Sequence, residues 1–197
     1  MLKLPNITLI CLTGLYYDVE GHKKAIAKSC EGIEWGAVKV ICDNAIDNVD
    51  TWNKKIIYDL WQYVDTPYAF LFHADGHVIN PELWNPEWLN YDYIGAPWPL
   101  PTDDYSYRTP DGEIIRMGNS VSLRSKLMMT LPTILDLEWK SYYGNTHEDG
   151  FLCVHNRKKL EEHGCKFAPL EVAKHFSKEH EIPENVGLTT FAFHSAI

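Results

Sequence analysis

The sequence predicts an α/β domain with a mostly parallel central sheet flanked by helices, and two observations carry that expectation. Strand-like and helix-like patterns alternate from residue 7 to residue 72. The last strand-like run, residues 68–72, is apolar throughout and breaks off in His73-Ala74-Asp75-Gly76-His77. Alternation of this kind builds the crossover units that parallel strands require. An unbroken apolar run is a strand covered on both faces.

Residues 7–12 are a short run of β-formers closed by Thr13-Gly14, the first strand. Helical spacing of Ala25, Ile26, Ser29, Cys30 and Ile33 predicts a helix over 22–33. Residues 37–42 form a second strand with a polar exit at Asp43-Asn44. Asp50-Thr51 starts a helix that buries Trp52, Ile56, Tyr58, Leu60 and Trp61 and stops at Thr66-Pro67. Beyond Ile79, four prolines between 81 and 99 exclude a long helix. Trp84, Trp88, Tyr91, Tyr93 and Trp98 there read as a second core layer, with one or two left to face a sugar or base. Residues 100–112 are polar, either a lid or a plain surface excursion. A turn at 116–120 enters a strand at 121–125, and the helix begun at Lys126 meets Pro132. A helix over 151–163 ends at Gly164, and the apolar strand 189–194 delivers a histidine, either to a surface tail or to the site.

A chain of 197 residues is read as one domain. The net charge of −9 disfavours a broad grip on nucleic acid or anionic lipid. Five cysteines without a close Cys-x-x-Cys pair read as reduced, mostly buried thiols. The start makes a poor signal peptide, and no run approaches the ~18 apolar residues of a membrane span, so the expected location is cytoplasmic.

Two polar segments can carry chemistry. Asp75 lies where a buried strand emerges, which is where open α/β sheets collect ligands. Taken alone, Asp75-Gly76 between apolar segments is a hairpin turn. Glu148-Asp149 opens a helix, where carboxylates are favourable for dipole reasons alone. Thr13, Tyr16 and Asp43, at the first strand exits, are candidates for ligand contacts on position alone. His73, Asp75, His77 and His194 would also suit a metal hydrolase if the strand continued, since alternate residues share a face.

Together these pieces resemble the GT-A type glycosyltransferases, nucleotide-sugar enzymes with a Rossmann-like half. The closer resemblance is to a small glycosyltransferase-like family of bacteria, fungi and viruses. It is carried in order by His73-x-Asp75-Gly76, the block 91–98, Gly118-Asn119 before Ser122-Leu123-Arg124-Ser125, Glu148-Asp149, Phe167-Ala168-Pro169 with Phe176-Ser177-x-Glu179, and Phe193-His194. The resemblance implies Asp75 and His194 as ligands to Mn²⁺ or Mg²⁺, with His73 standing where the first acid of the motif would contact the donor ribose. It implies Asp149, with Glu148 beside it, as base of an inverting transfer. Gly118 and Asn119 match the glycine loop facing a sugar, with Ser120 and one residue fewer than the usual form. The resemblance implies a nucleotide-binding half (1–80) and an acceptor half (81–197), with Thr13, Tyr16 and Asp43 as candidates for the donor base and ribose. The expected donor is a nucleotide sugar, most simply a UDP-sugar; the acceptor hydroxyl is unassigned among glycan, protein, lipid and modified base. The alternative is a degenerate member that binds nucleotide or glycan without catalysis.

Overall fold

A computed structural model describes residues 1–14, 18–140 and 147–194. Its centre is a five-stranded sheet in the order β2-β1-β3-β6-β5, formed by β1 (Leu2–Thr13), β2 (Ile33–Cys42), β3 (Tyr68–Leu71), β5 (Tyr93–Pro97) and β6 (Met117–Ser125). β1 is parallel to β2 and β3, β6 is antiparallel to β3, and β5 is antiparallel to β6. Four strands therefore run one way and β6 alone is reversed. The central sheet draws on both halves of the chain.

The apolar runs are explained by burial on two sides. Leu9, Cys11, Phe70 and Phe72 face a core with Trp88, Phe176 and Phe191, whereas Ile10, Leu12, Ala69 and Leu71 face Ile56, Leu60 and Met129. The second layer belongs to α2 (Val49–Tyr58), capped by Asn48, and to α3 (Lys126–Ile134). Pro132 lies inside α3 and does not end it; the helix runs on to Ile134. On the first side α1 (Val19–Ser29) buries Ala25.

That helix stops four residues earlier than its apolar spacing predicts, because Gly32 turns the chain at φ +72° and Ile33 already begins β2. β1 likewise starts earlier than expected. Its register against β2 shifts between Leu4 and Thr8, and there the Pro5 carbonyl sits where a Cβ on Gly36 would be, 2.2 Å away. A proline in a sheet is tolerated at such a bulge.

The segment that positions the site is a small second sheet. β4 (Gly76–Val78) pairs antiparallel with β8 (Ala192–His194), and β7 (Ser177–Lys178) runs parallel to β8. The expected late helix is broken into α4 (Glu148–Gly150), a π-helical turn at Phe151–His155, and α5 (Arg157–Glu162), with Gly164 at φ +94° after it. α6 (Leu170–Phe176) follows and leads into β7. No helix among the described residues is long and apolar enough to cross a membrane.

Candidate active site

The chain leaves β3 through a tight turn. His73 N–H donates to the Gly76 carbonyl at 2.8 Å and Gly76 N–H to the His73 carbonyl at 3.3 Å. The hairpin-turn expectation is therefore met in the backbone, but β4 leaves for the second sheet instead of folding back on β3. The turn also breaks the alternation that a hydrolase ligand set needs: His77 packs edge-on against Phe193 at 4.8 Å.

Across the second sheet Gly76 faces His194, which brings His194 Nε2 to 3.6 Å from Asp75 Oδ1. The His194 imidazole beside it holds the Asp75 carboxyl below its usual range. Burial pulls the His194 imidazole down, but Asp75, Glu179 and Asp149 outweigh it and its pKa is raised. His73 stacks on His194 at 5.4 Å, its Nε2 buried without a partner. Burial and then the His194 charge push His73 down to about 3, so it is neutral.

Asn119 joins this pair to Asp149. At φ +84° it occupies the left-handed region, where asparagine is tolerated better than most side chains. Its backbone N–H donates to Asp149 Oδ2 at 3.1 Å, its Oδ1 accepts from Val121 N–H at 2.8 Å, and its Nδ2 lies 3.0 Å from His194 Nδ1. The bond from Val121 fixes the amide, with Nδ2 on the side of His194. Asp149 Oδ1 takes a second bond from Gly150 N–H at 2.7 Å.

Two expected site residues are enclosed by packing. Glu148 turns inward, 1% exposed, and meets Arg124 Nη2 at 2.9 Å; its own N–H is held by Asn53. A carboxylate so enclosed cannot reach an acceptor, and Asp149 alone of the two opens outward. Gly118 is glycine because the Trp98 ring occupies its side-chain space: a Cβ there would lie 1.9 Å from Cζ2.

Asp149, Asn119 and His194 line a cavity of about 310 Å³ together with Trp98, Tyr107 and Glu179. Glu179, the last residue of Phe176-Ser177-x-Glu179, is given no role by the sequence reading. Its Oε1 is 3.7 Å from His194 Nδ1 and its Oε2 3.6 Å from His180 Nε2. It stands two residues after the buried Ser177, where β7 begins.

Residues 37–194 match the family described as "Protein of unknown function (DUF5672)". The chain belongs to this family. No curated protein matches the sequence. In fold, this DUF5672 member is similar to the crystal structure of a glycosyltransferase involved in the glycosylation of the major capsid of PBCV-1. That likeness has a TM-score of 0.58 at 11% identity, over 95% of this chain and 92% of the other. At such identity it speaks for the fold, which is thus glycosyltransferase-like.

The remaining donor candidates of the DUF5672 chain lie at the exits of β1 and β2. Thr13 is buried and its carbonyl accepts from Asp43 N–H at 2.9 Å. The Asp43 carboxylate is engaged by Lys55 at 3.1 Å and by Ala45 N–H at 2.8 Å. Tyr16 lies outside the described residues. Beside Thr13 is a cavity of about 260 Å³ lined by Gly14, Ile46, Asn48 and Trp52. Trp52 also contacts the His73 ring at 5.2 Å, which connects this cavity to the Asp75 turn.

Among the described residues no group of three or more acidic, imidazole or thiol side chains gathers into a cation cage. The donor pair Asp75 and His194 nevertheless suits Mn²⁺ or Mg²⁺, ions that take much of their coordination from phosphate and water. An ionised carboxylate faces an imidazole nitrogen across 3.6 Å, and the unpartnered Nε2 of His73 is beside them.

Proposed function

We propose that this protein transfers a glycosyl group from a nucleoside diphosphate sugar to a hydroxyl, with Asp149 as base. The observation that carries the reading is the bridge through Asn119. One residue ties the Asp149 carboxylate to the imidazole that faces Asp75, and Asp149, Asn119 and His194 line one cavity.

In the reaction the bond between the anomeric carbon and the leaving phosphate oxygen breaks as the acceptor oxygen bonds to that carbon. The acceptor hydroxyl is too weak an acid to attack unaided. Asp149 receives its proton, and the two N–H groups on its oxygens fix its direction. The leaving group is the nucleoside diphosphate. Asp75 and His194 would hold Mn²⁺ or Mg²⁺, which neutralises charge on the departing phosphates. The carboxylates of Asp75, Asp149 and Glu179 would otherwise repel a diphosphate, and among the described residues neither lysine nor arginine lines the cavity. The cavity beside Trp52 suits a nucleobase, with uridine the first to try.

A panel of nucleotide sugars incubated with the protein and Mn²⁺ tests the reading by release of nucleoside diphosphate. Release from at least one donor, lost in Asp149→Asn, is expected; no turnover and no binding across the panel overturns it. His73 favours one second reading, a module that binds without transfer, because a neutral imidazole stands where the resemblance puts an acid. Nucleotide binding with no release from any donor would select it.

A further inference from the structure

We propose that the acceptor bound beside Asp149 is an uncharged saccharide, and that Glu179 is the residue that turns acidic sugars away. The inference rests on the transferase reading above and adds the substrate class.

The cavity presents Asp149 and Glu179 as its carboxylates and three aromatic side chains, Trp98, Tyr105 and Tyr107. Trp98 and Tyr107 stack at 4.7 Å with 20° between their planes, a rigid wall of the kind against which the C–H face of a sugar ring packs. The carboxylates accept hydrogen bonds from ring hydroxyls. Both act on the same point: burial raises the Tyr107 phenol first, and the charges of Glu179 and Asp149 raise it further.

Among the described residues no lysine or arginine lines the wall, and the His194 imidazole is shared by Asp75, Glu179 and Asp149, so the carboxylates outnumber it. Arg116 runs behind Trp98, donating from Nε to its carbonyl at 2.8 Å, and its guanidinium is spent on Glu184 at 3.2 Å. The imidazole of His155, also in the lining, is held below its usual range by burial. A divalent ion at Asp75 would sit on the opposite side of the His194 ring: Asp75 faces Nε2, whereas Glu179 faces Nδ1. Its charge would be taken up by the donor's own phosphates. A carboxylate on the acceptor therefore meets two like charges in a partly enclosed space, whereas a neutral ring meets only hydrogen-bond acceptors and an aromatic face.

Saturation-transfer NMR at pH 8, where an unperturbed imidazole is neutral, measures the preference directly. The probes are the methyl glycosides of glucose, galactose and mannose and the matching methyl glucuronide and galacturonide, each with and without UDP and Mn²⁺. Neutral glycosides should bind about tenfold more tightly than the uronides, the size a screened like-charge contact gives. Glu179→Gln should bring the two groups within about threefold, and Asp149→Asn should move the ratio the same way, which keeps the test open if one variant does not fold. Uronides that bind as well as neutral glycosides, or no saccharide bound in any condition, overturn the inference. Loss of UDP binding alone counts against the transferase reading, while the saccharide ratio is still read without UDP.

Discussion

Gly76 and His194 are cross-strand partners, and a Cβ on Gly76 would lie 2.7 Å from His194 Cδ2 and 2.4 Å from Val121 Cγ2. The glycine after Asp75 is thus fixed by how closely β4, β6 and the imidazole approach one another. Gly76→Ala should force the His194 ring away from Asp75. A cost of about 1–3 kcal/mol is expected from the overpacking, read by urea denaturation, with Mn²⁺ affinity falling in parallel.

Mn²⁺ binding itself should depend on the charge of Asp75. Electron paramagnetic resonance of free Mn²⁺ should show affinity falling roughly 100-fold in Asp75→Asn, since a ligand charge is lost from a two-residue site. Chelation by EDTA should abolish UDP binding to the wild type. UDP binding of equal strength in EDTA would remove the reason for placing a cation here.

The Arg124–Glu148 pair should reveal itself as structural. Each side chain is 1% exposed, and Arg124 also takes Ser122 Oγ at 2.9 Å and lies over the Tyr93 ring. Removing one partner leaves a buried, uncompensated charge. Arg124→Met is expected to cost about 3–5 kcal/mol, whereas Arg124→Met with Glu148→Leu should recover most of it. Denaturation of the two variants measures the difference.

The thiols offer a check on burial. Burial raises Cys11 to about 12 and also raises Cys153, while Cys42 is exposed. Alkylation of the native protein at pH 8 should modify Cys42 rapidly and leave Cys11 and Cys153 untouched until denaturant is added. Mass spectrometry of the labelled peptides decides it.

That Asp75, Asp149 and His194 stand at element ends was legible, because each lies beside an apolar run that has to be a buried element. Glu179 stands in one of the resemblance motifs but receives no role from sequence, since its stretch is charged and the pairing of β7 with β8, which sets its place, is long-range. Glu148 misled for the opposite reason: first-turn carboxylates look alike in sequence, and the inward one is told apart only by Arg124, a single cation within an apolar strand pattern. The end of α1 was misplaced because helical spacing continued past Gly32, whose left-handed backbone outweighs the pattern. The direction of β6 is a matter of long-range pairing, which local periodicity does not encode.

Acid should loosen the contact between α2 and the segment after α3. Asp50 accepts from Trp139 Nε1 at 2.6 Å and pairs with Lys54 at 2.7 Å. Lys54 first, and Trp139 after it, hold the carboxyl below its ordinary value. A depressed carboxyl stabilises the fold above its unfolded pKa of about 3.9, and that contribution is lost as pH falls through the folded value. Urea midpoints of the wild type should therefore drop between pH 5 and pH 3 by more than those of Asp50→Asn, which has no charge to lose. The side chain is 44% exposed, so the difference between the two curves should stay below about 1 kcal/mol. Parallel curves for the two proteins would show that the indole and ammonium contacts carry no pH-dependent stability.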